Sequence, residues 1–414
     1  MRVAILHYAA PPVVGGVEIT IQHHARLLAE AGHPVSVIAG QGEPFHPQVA
    51  FHLIPEAGSR HPQVLDVGEA LARGEIPDAF AALRDRLTGQ LRPLLAESDV
   101  CVVHNALTLH KNLCLTAALR RLADEGAARL VAWCHDLAWQ DDLYTADLHP
   151  GYPWDLLRTP WPGVCYVVVS AHRRARLARL LELPESAIRV VHPGVDAAGF
   201  LKLEPATRQL VERLDLFAAD PLLLLPARIT RRKNIEFAVR VTAALLAHRQ
   251  RATLLITGPP GPHNPANVAY LDALHRLRAE MNVVERVHFL YAHGADGAPL
   301  HVSDEMMADF YHLADVLLFP SRREGFGIPV LEAGLARLPI FAAHIPSVHE
   351  TAGGLAYLFD PDGDPVEVAA AIHTHLEASP LHQLRRRVLE RYTWQALVEQ
   401  EVLPLLREVS EDAH

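Results

Sequence analysis

Cysteine is scarce in this 414-residue sequence, and none of Cys101, Cys114, Cys134 and Cys165 form a CxxC pair. That favours buried, reduced thiols over metal ligands or disulfides. The 26 histidines include no HExxH or similar ligand spacing, so their number alone supports no metal. No apolar stretch approaches the ~20 residues needed to cross a bilayer. The opening residues lack a basic region, apolar core and cleavage site, which points to a cytoplasmic protein and leaves peripheral membrane contact open. Positive charge is not in excess: 38 Lys and Arg against 48 Asp and Glu give −10. This argues against a nucleic-acid partner, for which a basic stripe is expected. An anionic ligand must then be met by local cations rather than by the field of the whole chain.

What is present is globular in character, with 50% hydrophobic and 21% charged residues. The chain is longer than one core usually supports, so two domains of about 200 residues each are expected. Apolar runs alternate with helical patterns, as in parallel α/β sheets. In the first half the predicted strands are Arg2–His7, Pro34–Ala39, Val100–His104, Arg129–Cys134, Cys165–Val169 and Arg189–His192. A helix over Glu18–Ala31, with apolar Ile19, Ile21, Leu27 and Leu28, should end at Gly32 in the position a C-terminal cap prefers. The second series is Leu222–Pro226, Ala252–Thr257, Val287–Phe289, Val316–Phe319, Pro339–Ala342 and Ala356–Phe359. These series place the domains at 1–198 and 199–391, with a final helix over Tyr392–Leu406. Ligands of doubly wound sheets bind at the carboxyl ends of the strands, so two facing units would share a cleft. Residues 41–92 are less regular, and either substrate-facing loops or a plain surface excursion fits them.

The most informative stretch is Asp315–Arg337, DVLLFPSRREGFGIPVLEAGLAR. A buried strand ends at Phe319–Pro320, a loop with Gly325 and Gly327 follows, and a helix opens with Pro329, where proline is tolerated best. Glycines let backbone approach a ligand, and the free N–H groups of a new helix attract anions. Glu324 and Glu332 bracket that turn. Carboxylates beside an anion site suit a ligand that is both phosphate and polyol, as a nucleotide sugar is.

Glu324-Gly-Phe-Gly through Glu332-Ala-Gly resembles the paired-glutamate signature of retaining glycosyltransferases of family 4, the glycosyl transferases of group 1. The resemblance implies a GT-B fold: two facing Rossmann-like domains with an interdomain cleft. It also implies that the final helix, 392–414, crosses back to the N-terminal domain. In that family the first glutamate reaches the transferred sugar and the second binds ribose, while amides of Gly325, Phe326, Gly327 and Ile328 meet the phosphates.

The companions lie elsewhere. Pro226-Ala-Arg-Ile-Thr-Arg-Arg-Lys-Asn234 follows the first strand of the second series. Arg228 and Lys233, five apart across a strand-to-helix turn, suit one diphosphate, a planar fork beside a compact charge. They resemble the family's pair that neutralises the leaving nucleotide, with Arg231 and Arg232 expected to face solvent. Gly15 and Gly16, between the first strand and helix, resemble the family's Gly-Gly loop against the donor phosphate, with Gly16 the preferred contact. His135 follows an apolar strand. Taken alone it reads as a histidine bonded within a loop, whereas the resemblance places it near the reacting sugar, with Asp136 orienting its ring. His7 and His104, also at strand ends, are weaker candidates. Gly258 and Pro259 would wrap the base by backbone, and Tyr291 would offer amide and carbonyl to its edge. Residues 292–301 form an insertion relative to the shorter family connection, and Ser303-Asp-Glu should cap the next helix.

No DxD-type pair sits in a suitable loop, and Asp141-Asp142 lacks matching context. The reading is therefore a retaining hexosyltransferase that needs no metal or other cofactor. It would move sugar from a UDP, GDP or ADP donor to a hydroxyl acceptor. A sugar phosphorylase or nucleotide-sugar epimerase on the same scaffold, or a non-catalytic nucleotide-sugar binder, are the alternatives. Donor, acceptor, linkage and oligomeric state are not legible.

Overall fold

The computed structural model describes every residue except Ala128, 262–265, 295–297 and 412–414. The chain packs into two units, Met1–Val195 together with the segment from Tyr392 onward, and Asp196–Arg391.

In the first unit the strands are β1 (Val3–His7), β2 (Val35–Ala39), β3 (Val49–Leu53), β4 (Val100–His104), β5 (Leu130–Cys134), β6 (Cys165–Val168) and β7 (Ile188–Val190). They form one parallel sheet in the order β3-β2-β1-β4-β5-β6-β7. The second unit holds β8 (Leu222–Leu225), β9 (Thr253–Ile256), β10 (Val287–Phe289), β11 (Val316–Phe319), β12 (Ile340–Ala343) and β13 (Tyr357–Phe359). Their order is β10-β9-β8-β11-β12-β13, again parallel. Central strands such as Val3–His7 and Leu222–Leu225 are buried at every position, because helices cover both sheet faces.

β3 has no counterpart among the strands read from sequence. It is an edge strand whose residues after Val49 are only partly buried or exposed, so it lacks the continuous buried apolar run of its neighbours. The rest of residues 41–92 is mainly helical, over Pro62–Ala72 and Asp78–Ala96. The first helix runs Gly16–Glu30 and is followed by Gly32 at φ +84°, the left-handed geometry glycine tolerates. Ile19 on this helix is exposed rather than part of the core. Cys101, Cys114 and Cys134 are buried thiols, their pKa pushed up to about 12 by burial.

The terminal helix is not continuous. A short helix Trp394–Leu397 passes through a π-turn, Val398–Val402, into Leu403–Glu411. Pro404 has no N–H to give the carbonyl four residues back and crowds the preceding turn, and a wider turn just before it relieves both. Trp394, Val398, Val402 and Leu406 from this segment join the core formed by the first helix and first sheet.

In the second unit the helix Pro380–Arg391 is tied to the sheet by His382. Its Nε2 lies 3.1 Å from Asp220 and its Nδ1 3.4 Å from Asp315. Burial favours the neutral ring, yet the two carboxylates outweigh it and raise the His382 pKa to about 9.

In both sheets the chain order reverses once, between β1 and β4 and between β8 and β11. The loops leaving the carboxyl ends of those strand pairs diverge and open a crevice, the place where doubly wound sheets take ligands.

Candidate functional site

At the β8/β11 reversal the two loops that carry the sequence motifs meet. The 3-10 turn Arg231–Lys233 follows β8, and the Arg232 carbonyl accepts from the Arg322 amide (2.9 Å) in the loop after β11. Lys233 Nζ donates to Glu324 Oε1 at 2.5 Å and Arg232 Nη1 to Glu324 Oε2 at 2.8 Å. Arg232 also reaches the Arg323 carbonyl at 3.2 Å. The Glu324 and Lys233 side chains are only 8% and 10% exposed, so each charge relies on the other. Burial lowers the Lys233 pKa despite its carboxylate partner. For Glu324 burial works upward, but Lys233, Ser321 and Arg232 hold its carboxyl below the usual value.

Arg231 and Arg232 are exposed, as expected, but each also makes a contact that was not expected. The paired backbones bring Arg232 onto Glu324 while its side chain stays 46% exposed. Arg231 lies over the Tyr270 ring, 5.1 Å from its centroid. Arg228 is exposed and makes no hydrogen bond or ion pair among the described residues. The turn after Glu324 needs only one of its glycines for shape. Gly327 has φ +93° as the cap of the helix Ile328–Leu335, whereas a side chain on Gly325 would meet open space. Phe326 and Ile328 are exposed, and Pro329 opens the helix as predicted. Glu332 accepts from the buried Tyr311 hydroxyl at 2.5 Å. That partner is missed by sequence reading because Tyr311 lies on the helix Asp304–Leu313, in another element altogether.

The loop after β9 braces this site. The Gly258 amide donates to Ala227 (3.1 Å), the Pro259 carbonyl accepts from Ile229 (2.9 Å), and a Cβ on Gly258 would lie 2.5 Å from the Ala227 carbonyl. Those two backbone groups therefore hold the Arg228 loop in place. The Tyr291 carbonyl is likewise engaged, by the Leu300 amide at 2.9 Å. Of the 292–301 insertion, residues 295–297 lie outside the described residues. Ser303 caps its helix by accepting from the Met306 amide at 3.2 Å.

The first unit's reversal point is lined differently. His104 ends β4, and its Nδ1 is 3.0 Å from His135 Nε2 beyond β5. His7, at the end of β1, directs Nδ1 to the His104 carbonyl at 3.0 Å, and since a carbonyl only accepts, Nδ1 carries the proton. Asn105, at φ +58°, accepts from the amides of His135 (2.8 Å) and Asp136 (3.2 Å). Burial brings the pKa of His7 and His135 to about 4 and that of His24 to about 3. It pushes His104 well below the ordinary value. All four rings are therefore neutral near pH 7. Asp136 does not orient His135: its carboxylate faces Arg173 at 3.4 Å, and His104 holds the ring instead. The signal for that was available, since His104 and His135 both follow apolar runs that become neighbouring strands.

Gly15 caps the first helix and Gly16 opens it, but the crowding is at Gly15. A Cβ there would lie 2.2 Å from Glu18 Oε2, while one on Gly16 meets nothing within 4 Å. Glu18 also stands 3.8 Å from His7 Nε2. A carboxylate thus already occupies this helix start. Among the described residues no group of three or more His, Cys, Asp or Glu is arranged to hold a metal ion. No helix among them is long and apolar enough to cross a membrane.

Residues 220–378 match the family described as Glycosyl transferases group 1, and residues 14–198 match Glycosyltransferase Family 4. An MMP alpha-(1->4)-mannosyltransferase from Mycolicibacterium hassiacum is 26% identical over 97% of this chain and 97% of its own. A D-inositol 3-phosphate glycosyltransferase from Saccharomonospora viridis is 26% identical, covering 95% of this chain and 91% of its own. A GDP-mannose-dependent alpha-(1-6)-phosphatidylinositol monomannoside mannosyltransferase from Mycobacterium tuberculosis is 26% identical over 85% and 81%. With two doubly wound parallel sheets and both family matches, the chain belongs to the family 4, group 1 glycosyltransferases, nucleotide-sugar-dependent enzymes of GT-B type.

Proposed function

We propose that the chain is a retaining hexosyltransferase that works without a metal ion. It takes its sugar from a nucleoside diphosphate donor bound at the β8/β11 reversal. The observation that carries this reading is the buried Lys233–Glu324 pair with Arg232 beside it. When the sugar leaves, negative charge grows on the diphosphate, and fixed cations in a partly desolvated site stabilise it without reorganising. Lys233 and Arg232 supply that charge, with Arg228 free to swing in from the exposed loop. Backbone amides from Gly325 to Ile328 extend the anion site at the helix start. Glu324 and Glu332 are acceptors for sugar and ribose hydroxyls respectively, and neutral His135 serves as an uncharged hydrogen-bonding group toward the transferred sugar.

The name of the Mycobacterium tuberculosis relative makes GDP-mannose the first donor to test. The purified chain is incubated with UDP, GDP and ADP sugars, with and without excess EDTA, while donor consumption and the initial product anomer are read by NMR. Consumption of one donor in EDTA with the anomer retained is the expected result. An inverted anomer, loss on chelation restored by magnesium, or a strict need for inorganic phosphate would each overturn the reading.

A further inference from the structure

Two cavities adjoin within the first unit, and together they suggest what the acceptor looks like. One, of about 550 Å³, lies at the strand ends, with His7, Glu18, Asn105 and Asp136 in its wall. These are the neutral and acidic hydrogen-bonding groups that suit hydroxyls. The other, of about 500 Å³, opens beside the helix Pro62–Ala72. One part of its wall is apolar, from Val64, Val67, Leu71 and Leu113, with Trp154. At its rim Leu143 is 81% and Leu65 50% exposed, apolar surface that the fold leaves uncovered.

Ser59, Arg60, Lys111 and Tyr144 line both cavities and so stand where they join. Neither Arg60 nor Lys111 has a carboxylate partner among the described residues, and Lys111 Nζ rests 5.5 Å from the Tyr144 ring centroid. Of the nearby acids, Glu56 faces Arg86 (3.6 Å) and Asp136 faces Arg173 (3.4 Å), while Asp147 faces His110 (3.7 Å), whose pKa burial lowers. Glu69, which also lines the aliphatic cavity, is exposed. Two ring nitrogens beside the junction, His61 Nδ1 and His110 Nδ1, are buried without a hydrogen bond. In a chain of net charge −10, two uncompensated cations at a junction of cavities mark an anion position.

We propose that this paired cavity binds the acceptor as a phosphate ester carrying a polyol on one side and an apolar chain on the other. The hydroxyls lie toward the strand ends, the phosphate between Arg60 and Lys111, and the chain among the aliphatic side chains. That this ligand is the glycosyl acceptor rests on the transferase reading above; that the cavity binds it does not.

The test therefore measures binding directly, by calorimetry on the full chain, with three probes: glycerol 3-phosphate, its mono-octyl ester and octyl glucoside. The octyl ester should bind at least roughly tenfold more tightly than either of the others, since each lacks one recognised part. Arg60→Ala and Lys111→Ala should each weaken the octyl ester roughly tenfold. Gly68 lines the aliphatic cavity on a helix and has open space where a Cβ would stand. Gly68→Phe should fill that cavity and bring the octyl ester down to the affinity of glycerol 3-phosphate. Vesicles containing phosphatidylglycerol identify the source: capture that needs Arg60 and Lys111 assigns a lipid headgroup, and capture of the soluble ester alone assigns a soluble amphiphile. Equal affinity for all three probes, or no effect of any of the three variants, overturns the proposal. Nucleoside diphosphate affinity, measured on the same samples, reports on the transferase reading separately and should be unchanged by the three variants.

Discussion

The two reversal points share a strand order but not a chemistry. Around β8 and β11 the side chains form a charged cluster, Lys233 and Arg232 on Glu324, in which every buried charge has a partner. Around β1 and β4 they form a set of imidazoles, His7, His104 and His135, which burial keeps neutral. Topology fixes where a ligand can approach a doubly wound sheet, and the residues at the strand ends decide what it meets there. Cations suit a departing diphosphate, whereas neutral rings hydrogen-bond to sugar hydroxyls without burying a charge.

The comparison breaks most visibly at Lys233. Lys233→Ala should lower transfer on the order of a hundredfold and weaken nucleoside diphosphate binding, as loss of one preorganised contact to developing charge does. Arg228→Ala should cost about tenfold or less, because Arg228 is exposed and unanchored. Steady-state kinetics and calorimetry on both variants make the check, and equal losses would erase the ranking. The glutamates of the same cluster come next. Glu332→Ala should weaken free nucleotide and whole donor alike, while Glu324→Ala should spare the free nucleotide and reduce turnover. If Glu324→Ala loses the bare nucleotide as badly, the turn is a single nucleotide clamp.

The histidines sharpen the contrast through pH. His7, His24 and His135 have folded pKa values of about 4, 3 and 4, below the ordinary 6.5, so the unfolded chain binds more protons. Their contribution is complete above about pH 6.5 and is lost on acidification toward pH 4, by about 1.4 kcal/mol per pH unit for each ring. His382 behaves oppositely: with a folded pKa of about 9, its contribution is complete below about pH 6.5 and lost as pH rises through 9. All five tryptophans, at 133, 139, 154, 161 and 394, belong to the first unit. Tryptophan fluorescence should therefore report a lower melting midpoint at pH 5 than at pH 7. The smallest effect is at the glycines. Gly327→Ala should cost about 1 kcal/mol in urea unfolding because of its positive φ, and Gly325→Ala within about 0.5.

Most strands are legible in the sequence because both faces of each sheet are covered, which writes them as unbroken apolar runs. β3 escapes for the opposite reason, an edge strand with only its first residue, Val49, buried. The motif loops are legible as loops, since glycine and proline mark the turns at Gly327 and Pro329. Which side chains meet is less so. Arg232 reaches Glu324 only because backbone pairing joins two loops about ninety residues apart, and Tyr311 finds Glu332 from a separate helix. His104, rather than Asp136, holds His135, a relation that depends on β4 and β5 being neighbours. The break in the last helix follows from Pro404, which a hydrophobic pattern alone passes over.

The segment carrying Trp394 has a consequence for biosynthesis. It supplies core side chains to the first unit, yet in chain order it comes after the whole of Asp196–Arg391. A ribosome adding 5–20 residues per second needs on the order of ten to forty seconds to make those roughly two hundred intervening residues. Throughout that interval the nascent first unit stands with the surface under Trp394 and Leu406 uncovered. The unit begun first is thus completed last.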